Sequence, residues 1–331
     1  MENVTLQVVE GGAVALVVIM GLLFGSFLNV VIARVPAGES IVRPRSRCPR
    51  CGHMLAWFEN IPLFSWMALR GRCRACGQPI SWRYPLIELL TALLFLACQR
   101  RFGWTPELVS ALVLVMLLVP LSFIDLEHWI LPRELTWPGI AAGVVLSVPL
   151  GTTRLRDSII GALAGFFLFW GMEWLGEKIF KKEALGAGDK DLLALIGAFL
   201  TWKALLGVIF LSSLQGAVVG SLLLLTRGRA GPAPLAEPSP APSVEPPVVS
   251  QPPVEGEPAA PASEPAPAAL EGGAPAAAQD GEDEEDDWVP GPTNLPFGPW
   301  LSVAAFEILL LAPWLRDVLP VPVDLLVTGL R

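Results

Sequence analysis

The chain has 331 residues, of which 53% are hydrophobic and only 16% charged, with a positive mean hydropathy. Soluble domains run at roughly 45–50% apolar and about 25% charged, so this composition excludes an ordinary soluble domain and predicts an all-α polytopic membrane protein. The formal net charge of −8 is a poor guide to partners: 13 of the 31 acids lie in residues 230–287, which hold no Lys or Arg. The rest of the chain has 18 acids against 23 bases, and membrane topology accounts for those bases without a nucleic-acid partner.

The first apolar run, residues 13–33, is long enough at about 1.5 Å per residue to cross a hydrocarbon core of roughly 30 Å. A cleaved signal peptide would need basic residues ahead of the run. Here the only charges before it are Glu2 and Glu10, while Arg34 and a basic loop follow, so the N-terminus is expected to face outward. Within this span Gly25, Ser26 and Asn29 are small or polar, which suits close helix packing and an interhelical hydrogen bond.

Residues 34–84 carry nine arginines against two acids, Glu39 and Glu59, which predicts a cytoplasmic domain. It contains Cys48-Pro49-Arg50-Cys51-Gly52 and Cys73-Arg74-Ala75-Cys76-Gly77. Four thiolates in two such knuckles suit a tetrahedral structural Zn2+ site, and a glycine after each second cysteine lets the chain turn tightly. Free thiols or a redox pair are the alternative. His53 is a nearby competing ligand, more simply a surface residue, and Cys98 reads as a small core hydrophobe.

Beyond the loop, spans are expected at about 85–99, 106–124, 136–150, 158–179, 190–201, 204–226 and 298–315, about eight with the first. Three of these, 85–99, 136–150 and 190–201, are shorter than the roughly 17 residues usually needed. The count puts 125–135, 180–189 and 227–297 in the cytoplasm, although Arg100, Arg101, Arg154 and Arg156 then fall on the outer side. The domains expected are therefore a first helix over 1–33, the zinc domain over 34–84, a membrane core over 85–226, a Pro/Ala/Glu-rich acidic insert over 227–294, and a last helix with its tail over 295–331. The insert lacks the apolar content to offset its ordering entropy and is expected to be disordered. The tail is broken by Pro320 and Pro322.

Asp125 closes one apolar run and Asp189, in Gly186-Ala187-Gly188-Asp189, opens another. Each alone reads as a helix cap, but an ionisable residue at the edge of a span is costly and points to a functional site. The topology puts both on the cytoplasmic side, where two carboxylates sharing one proton can serve as general base and general acid around a water. That is the chemistry of peptide hydrolysis. Gly186 and Gly188 would let the backbone bend beside Asp189. Glu127, Glu134 and Asp191 are nearby acids that spacing does not exclude. Histidine chemistry has little material, since the chain has two His, His53 and His128, and no G-x-S-x-G elbow.

These residues resemble the type IV prepilin peptidases, bifunctional leader peptidases and N-methyltransferases of the bacterial inner membrane, which belong to the G-x-G-D intramembrane aspartyl proteases. The resemblance runs through Gly25-Ser26-Phe27-Leu28-Asn29, both cysteine pairs, Glu59-Asn60-Ile61-Pro62, Ser81-Trp82-Arg83-Tyr84-Pro85, the stretch from Asp125 to Pro132, the G-x-G-D run and Leu295-Pro296-Phe297-Gly298-Pro299. It implies type IV prepilins and pseudopilins as substrates, cut after a glycine beside their hydrophobic helix, and methylation of the new N-terminus from S-adenosylmethionine. It also implies that Asp125 and Asp189 match the catalytic pair. Two positions depart from the family pattern: Arg133 stands where an acid or amide is usual, and Asp191 where a lysine is usual. The rival readings are a G-x-G-D protease without methyl transfer and a non-enzymatic zinc-bearing membrane scaffold.

Overall fold

The structure, a computed structural model, describes residues 2–180, 186, 188–227 and 295–318. The expectation of disorder for the insert and the proline-broken tail lie outside the described residues, as does Ala187. The described chain is mostly helical. Its helices are α1 (Glu2–Arg34), the short α2 (Phe64–Ala68), α3 (Arg83–Phe102), α4 (Pro106–His128), α5 (Arg133–Ser147), α6 (Thr152–Phe180), α7 (Asp189–Leu200), α8 (Trp202–Arg227) and α9 (Gly298–Val318). Each apolar segment expected to span a membrane is helical. Four helical stretches are long and apolar enough to cross one by length and composition: Gly11–Arg34, Pro106–His128, Thr152–Gly176 and Trp202–Thr226. Together they mark an integral membrane protein.

Glycines set how closely the helices approach. In lipid, small residues let backbones touch and so gain packing that water cannot supply. Gly21 and Gly25 of α1 lie against the Ala92 and Glu88 backbones of α3, where an added methyl would sit 2.5 and 2.7 Å from their Cα atoms. Asn29 of α1 donates through Nδ2 to the carbonyls of Gly25 and Tyr84, each at 3.2 Å. The small and polar residues of the first span therefore do serve helix packing, as their types suggest.

The centre of the bundle is α7. Eleven of its 12 residues are buried, and at about 18 Å it is well short of a bilayer core. It packs chiefly on α5 and α6. Gly139 and Gly143 of α5 meet Leu195 and Phe199. A methyl on Gly161 of α6 would collide with the Gly197 carbonyl of α7, and vice versa. Ser158 and Arg154 of α6 donate to the carbonyls of Ala198 and Phe199, at 2.6 and 2.8 Å. This occupies backbone acceptors at the C-terminal end of α7 that its own ladder leaves open. A helix wrapped on every side can be short and still stable, and it can hold a polar residue at its start away from lipid.

Candidate active site and metal centre

The domain before α3 is built from two similar knuckles. In the first, Cys48 N–H donates to the His53 carbonyl and Gly52 N–H to the Cys48 carbonyl; in the second, Cys73 and Gly77 donate to the Gln78 and Cys73 carbonyls in the same way. Gly52 and Gly77 sit at φ 73° and 68°, the left-handed region where a side chain would strain. The four sulfurs lie within 4.8 Å of one another, with Cys48 to Cys76 and Cys51 to Cys73 at 4.0 Å. Four ligands at about 2.3 Å in a tetrahedron stand just under 4 Å apart, so the cluster can hold a metal ion. The Cys51 and Arg50 N–H groups pull the Cys48 thiol down to about 6, whereas at Cys51 the His53 N–H is outweighed by burial and the neighbouring thiols, which push it up to about 11, so one thiolate is favoured and a bound cation would favour the others. None of the cysteines is in a disulfide. His53 stands outside the cluster, with Nε2 3.3 Å from Glu59 Oε2. Cys98 is fully buried in the apolar core.

The domain docks on the bundle through polar contacts. Leu63 N–H donates to Glu88 Oε2 of α3 at 2.7 Å, and Arg83 at the start of α3 pairs with Glu127 near the end of α4. Between the domain and the ends of α1 and α3 lies a cavity of about 780 Å³.

Asp125 and Asp189 come to the same end of the bundle. Asp125 lies in the last turn of α4 and Asp189 is the first residue of α7. Both are buried, at 6% and 7% exposed, and the charge of Asp189 is felt at Asp125. Asp125 Oδ2 accepts the Gly298 N–H at 3.0 Å, and the Gly186 backbone lies beside the Asp189 carboxylate, a Cβ there standing 3.4 Å from Oδ2. Asp189 is not the cap of α7; that position is Gly188. Two helix N-termini, those of α7 and α9, thus face this pair, and their partial positive charge offsets some of the cost of burying a carboxylate.

Three of the other acids nearby are matched to bases. Glu127 pairs with Arg83, Glu173 with Lys190 at 2.7 Å, and Asp191 with Arg133 at 3.6 Å. Asp191 also accepts from Trp137 Nε1 at 3.3 Å. Glu134 is exposed. Among the described residues, no Lys, Arg or His bridges Asp125 or Asp189. Arg133 and Asp191, the two positions read as departures from the family pattern, prove to be partners in one ion pair.

One reading of the glycines changes, and a further glycine joins them. Gly188 has ordinary helical angles, φ −81° and ψ −23°, so it is not needed for a bend. It is needed for space, because a Cβ there would stand 2.6 Å from Leu131 Cβ. Gly298 touches Asp125, a contact that the sequence alone did not single out. A Cβ on it would lie 2.6 Å from Asp125 Oδ2, so any larger residue displaces the carboxylate. Its signal was present in the turn-rich Leu295-Pro296-Phe297-Gly298-Pro299 run, but nothing local says that this run meets a residue 173 positions away.

Fold and site define a helical integral membrane protein with a four-cysteine knuckle domain and two buried carboxylates gathered at one end of its bundle. Residues 19–102 match the model of the bacterial Peptidase A24 N-terminal domain, and residues 112–221 that of the type IV leader peptidase family. The chain belongs to the type IV leader peptidase family. It is 58% identical over 315 residues, 94% of each chain, to the prepilin leader peptidase/N-methyltransferase of Myxococcus xanthus (strain DK1622). It is 42% identical to the protein of that name from Aeromonas hydrophila, over 67% of this chain and 84% of the relative. With that from Xanthomonas campestris it shares 41% over 65% and 83%. No solved structure matches it at a significant level.

Proposed function

We propose that this chain is a membrane-embedded aspartyl endopeptidase that removes the leader of type IV prepilins and pseudopilins and then N-methylates the new terminal residue. Eight helices, α1 and α3 to α9, cross the bacterial inner membrane, with the short α7 enclosed by the others. The knuckle domain and the aspartate pair lie at the cytoplasmic face. The nine arginines of residues 34–84 support that orientation, since basic loops stay inside. A prepilin has a basic leader ahead of an apolar helix, so its cleavage point meets the protein where that helix enters the bilayer.

The observation that carries the reading is the contrast in pairing: Asp125 and Asp189 lie buried at one end of the bundle, bridged by no base among the described residues, with Asp125 held by the Gly298 N–H, while Glu127, Glu173 and Asp191 each have a base. An acid neutralised by Arg is a poor proton carrier. Two carboxylates that share one proton can do both halves of hydrolysis. One takes a proton from water as the oxygen attacks the scissile carbonyl carbon. The other protonates the leaving nitrogen, so the C–N bond breaks to give an acid and a free amine. The Gly298 N–H holds the Asp125 carboxylate in place throughout.

Four cysteines at this spacing would hold one Zn2+ as a structural ion, closing the two knuckles on each other. S-adenosylmethionine, when bound, would supply a methyl carbon from its sulfonium to the new amine nitrogen, which releases a proton. Incubating the purified protein with a prepilin peptide tests the whole reading. Cleavage followed by mass gain of one methyl is expected, and a folded protein that cleaves nothing would favour the scaffold.

A further inference from the structure

The cavity of about 780 Å³ between the knuckle domain and the bundle has the size of a small-molecule site, since such pockets run at roughly 300–1,000 Å³. Its lining is unusual for a gap between domains. Asn29 is 4% exposed, and its Oδ1 is buried without a hydrogen-bond partner, while its Nδ2 is spent on the Gly25 and Tyr84 carbonyls. A buried acceptor left open costs roughly 1–3 kcal/mol, and a ligand donor would recover that. Two buried carboxylates, Glu59 and Glu88, each 8% exposed, also line it. Glu59 is held below the usual carboxylate range first by the Ala56 N–H and further by His53. Trp66 adds an aromatic ring, and Arg34, Arg47, Arg50 and Arg74 bring positive charge to the same lining.

This combination selects a ligand with a fixed positive centre, hydrogen-bond donors, a flat ring and a carboxylate. S-adenosylmethionine has all four. Resting on the N-methyltransferase reading above, we propose that this cavity is the methyl-donor site, with Glu88 facing the sulfonium end and Asn29 Oδ1 accepting a ligand N–H. Trp66 offers an aromatic face to a cation or a flat ring, and Arg34 a partner for the carboxylate. The Arg83–Glu127 ion pair joins the wall of this cavity, at Tyr84, to the turn that holds Asp125.

Binding to the full-length protein in detergent tests the assignment without relying on turnover. Equilibrium dialysis with radiolabelled S-adenosylmethionine and with the neutral thioether S-adenosylhomocysteine should show both binding to wild type. Glu88→Gln should weaken the sulfonium compound about tenfold and leave the thioether unchanged, because only the former loses a charge partner. Asn29→Leu should weaken both. Ultraviolet cross-linking of the bound label should map to residues 26–88. Zinc content and melting temperature check that the variants are folded. If wild type binds neither compound, the methyltransferase reading fails and the site with it. If wild type binds and both folded variants bind equally well, or the label maps to residues 106–227, the site is elsewhere and the methyltransferase reading stands.

Discussion

The knuckle domain and the helix bundle reach a fixed structure by opposite means. Between residues 34 and 84 the only buried apolar side chains are those of Cys48 and Cys73, whereas the bundle buries Leu, Ile, Val and Phe along α3, α4, α7 and α9. In the bundle, order comes from close packing around α7. In the domain it comes from two backbone knuckles whose thiols need something to join them. A region without an apolar core of its own depends on its staple, so the two halves should fail independently.

The largest expected effect follows from that dependence. Stripping metal with a chelator, or Cys73→Ser, removes a ligand set whose binding is worth on the order of 10 kcal/mol in structural zinc sites. The domain should lose protease resistance across residues 34–84 while the bundle keeps its helical content. Limited proteolysis with circular dichroism reads both. Wild-type protein containing no zinc, with four freely alkylated cysteines and an ordered domain, would falsify the staple.

Next come the aspartates, whose loss should touch chemistry and leave both structures alone. Asp125→Asn and Asp189→Asn keep the shape but cannot pass a proton, so each should cut cleavage roughly ten-thousand-fold, the upper end for general acid–base groups. Methyl transfer requires a free amine and a bound donor but no activated water. Both variants should still methylate a pilin supplied already cleaved. A loss of only a fewfold in cleavage would turn attention to Glu127, Glu134 and Asp191; loss of methylation as well, in folded protein, would place both reactions in one site.

A smaller effect is expected at Gly298. Its Cβ would fall 2.6 Å from Asp125 Oδ2, and the carboxylate, at the end of a side chain, has to swing aside. Displacing a catalytic group by about 1 Å costs about a hundredfold. Gly298→Ala should therefore lower kcat by about that factor, with KM and melting temperature little changed. Unaltered kcat would mean that the 3.0 Å hydrogen bond does not position Asp125.

What could be read from the sequence differs between the two regions for a physical reason. The metal cluster was legible because its geometry is local: two C-x-x-C-G runs build their own knuckles, and only their meeting is tertiary. That Asp125 and Asp189 lie at the same end of the bundle was legible through topology, since counting spans put both residues on one side. Gly298, the space required by Gly188 and the enclosure of α7 were not, because each depends on which helix lies next to which. Eight apolar segments do not encode their neighbours.

The same limit explains Arg133 and Asp191, which look like two separate oddities in the chain and form one ion pair in space. Asp191 is buried and also takes the Trp137 N–H, so it ties the start of α5 to the first turn of α7, two residues from Asp189. Arg133 is largely exposed, with 68% of its side chain open, and exposed pairs contribute at most about 1 kcal/mol. Arg133→Asp alone should then lower cleavage no more than about tenfold through like-charge repulsion at the entry of α7. Asp191→Arg alone should be worse, because it buries an unmatched cation. The double exchange, Arg133→Asp with Asp191→Arg, restores opposite charges and should recover most of the cleavage lost by either change. A double variant as impaired as the two single losses multiplied would show that the residues act separately and that the reversal at one position does not answer the other.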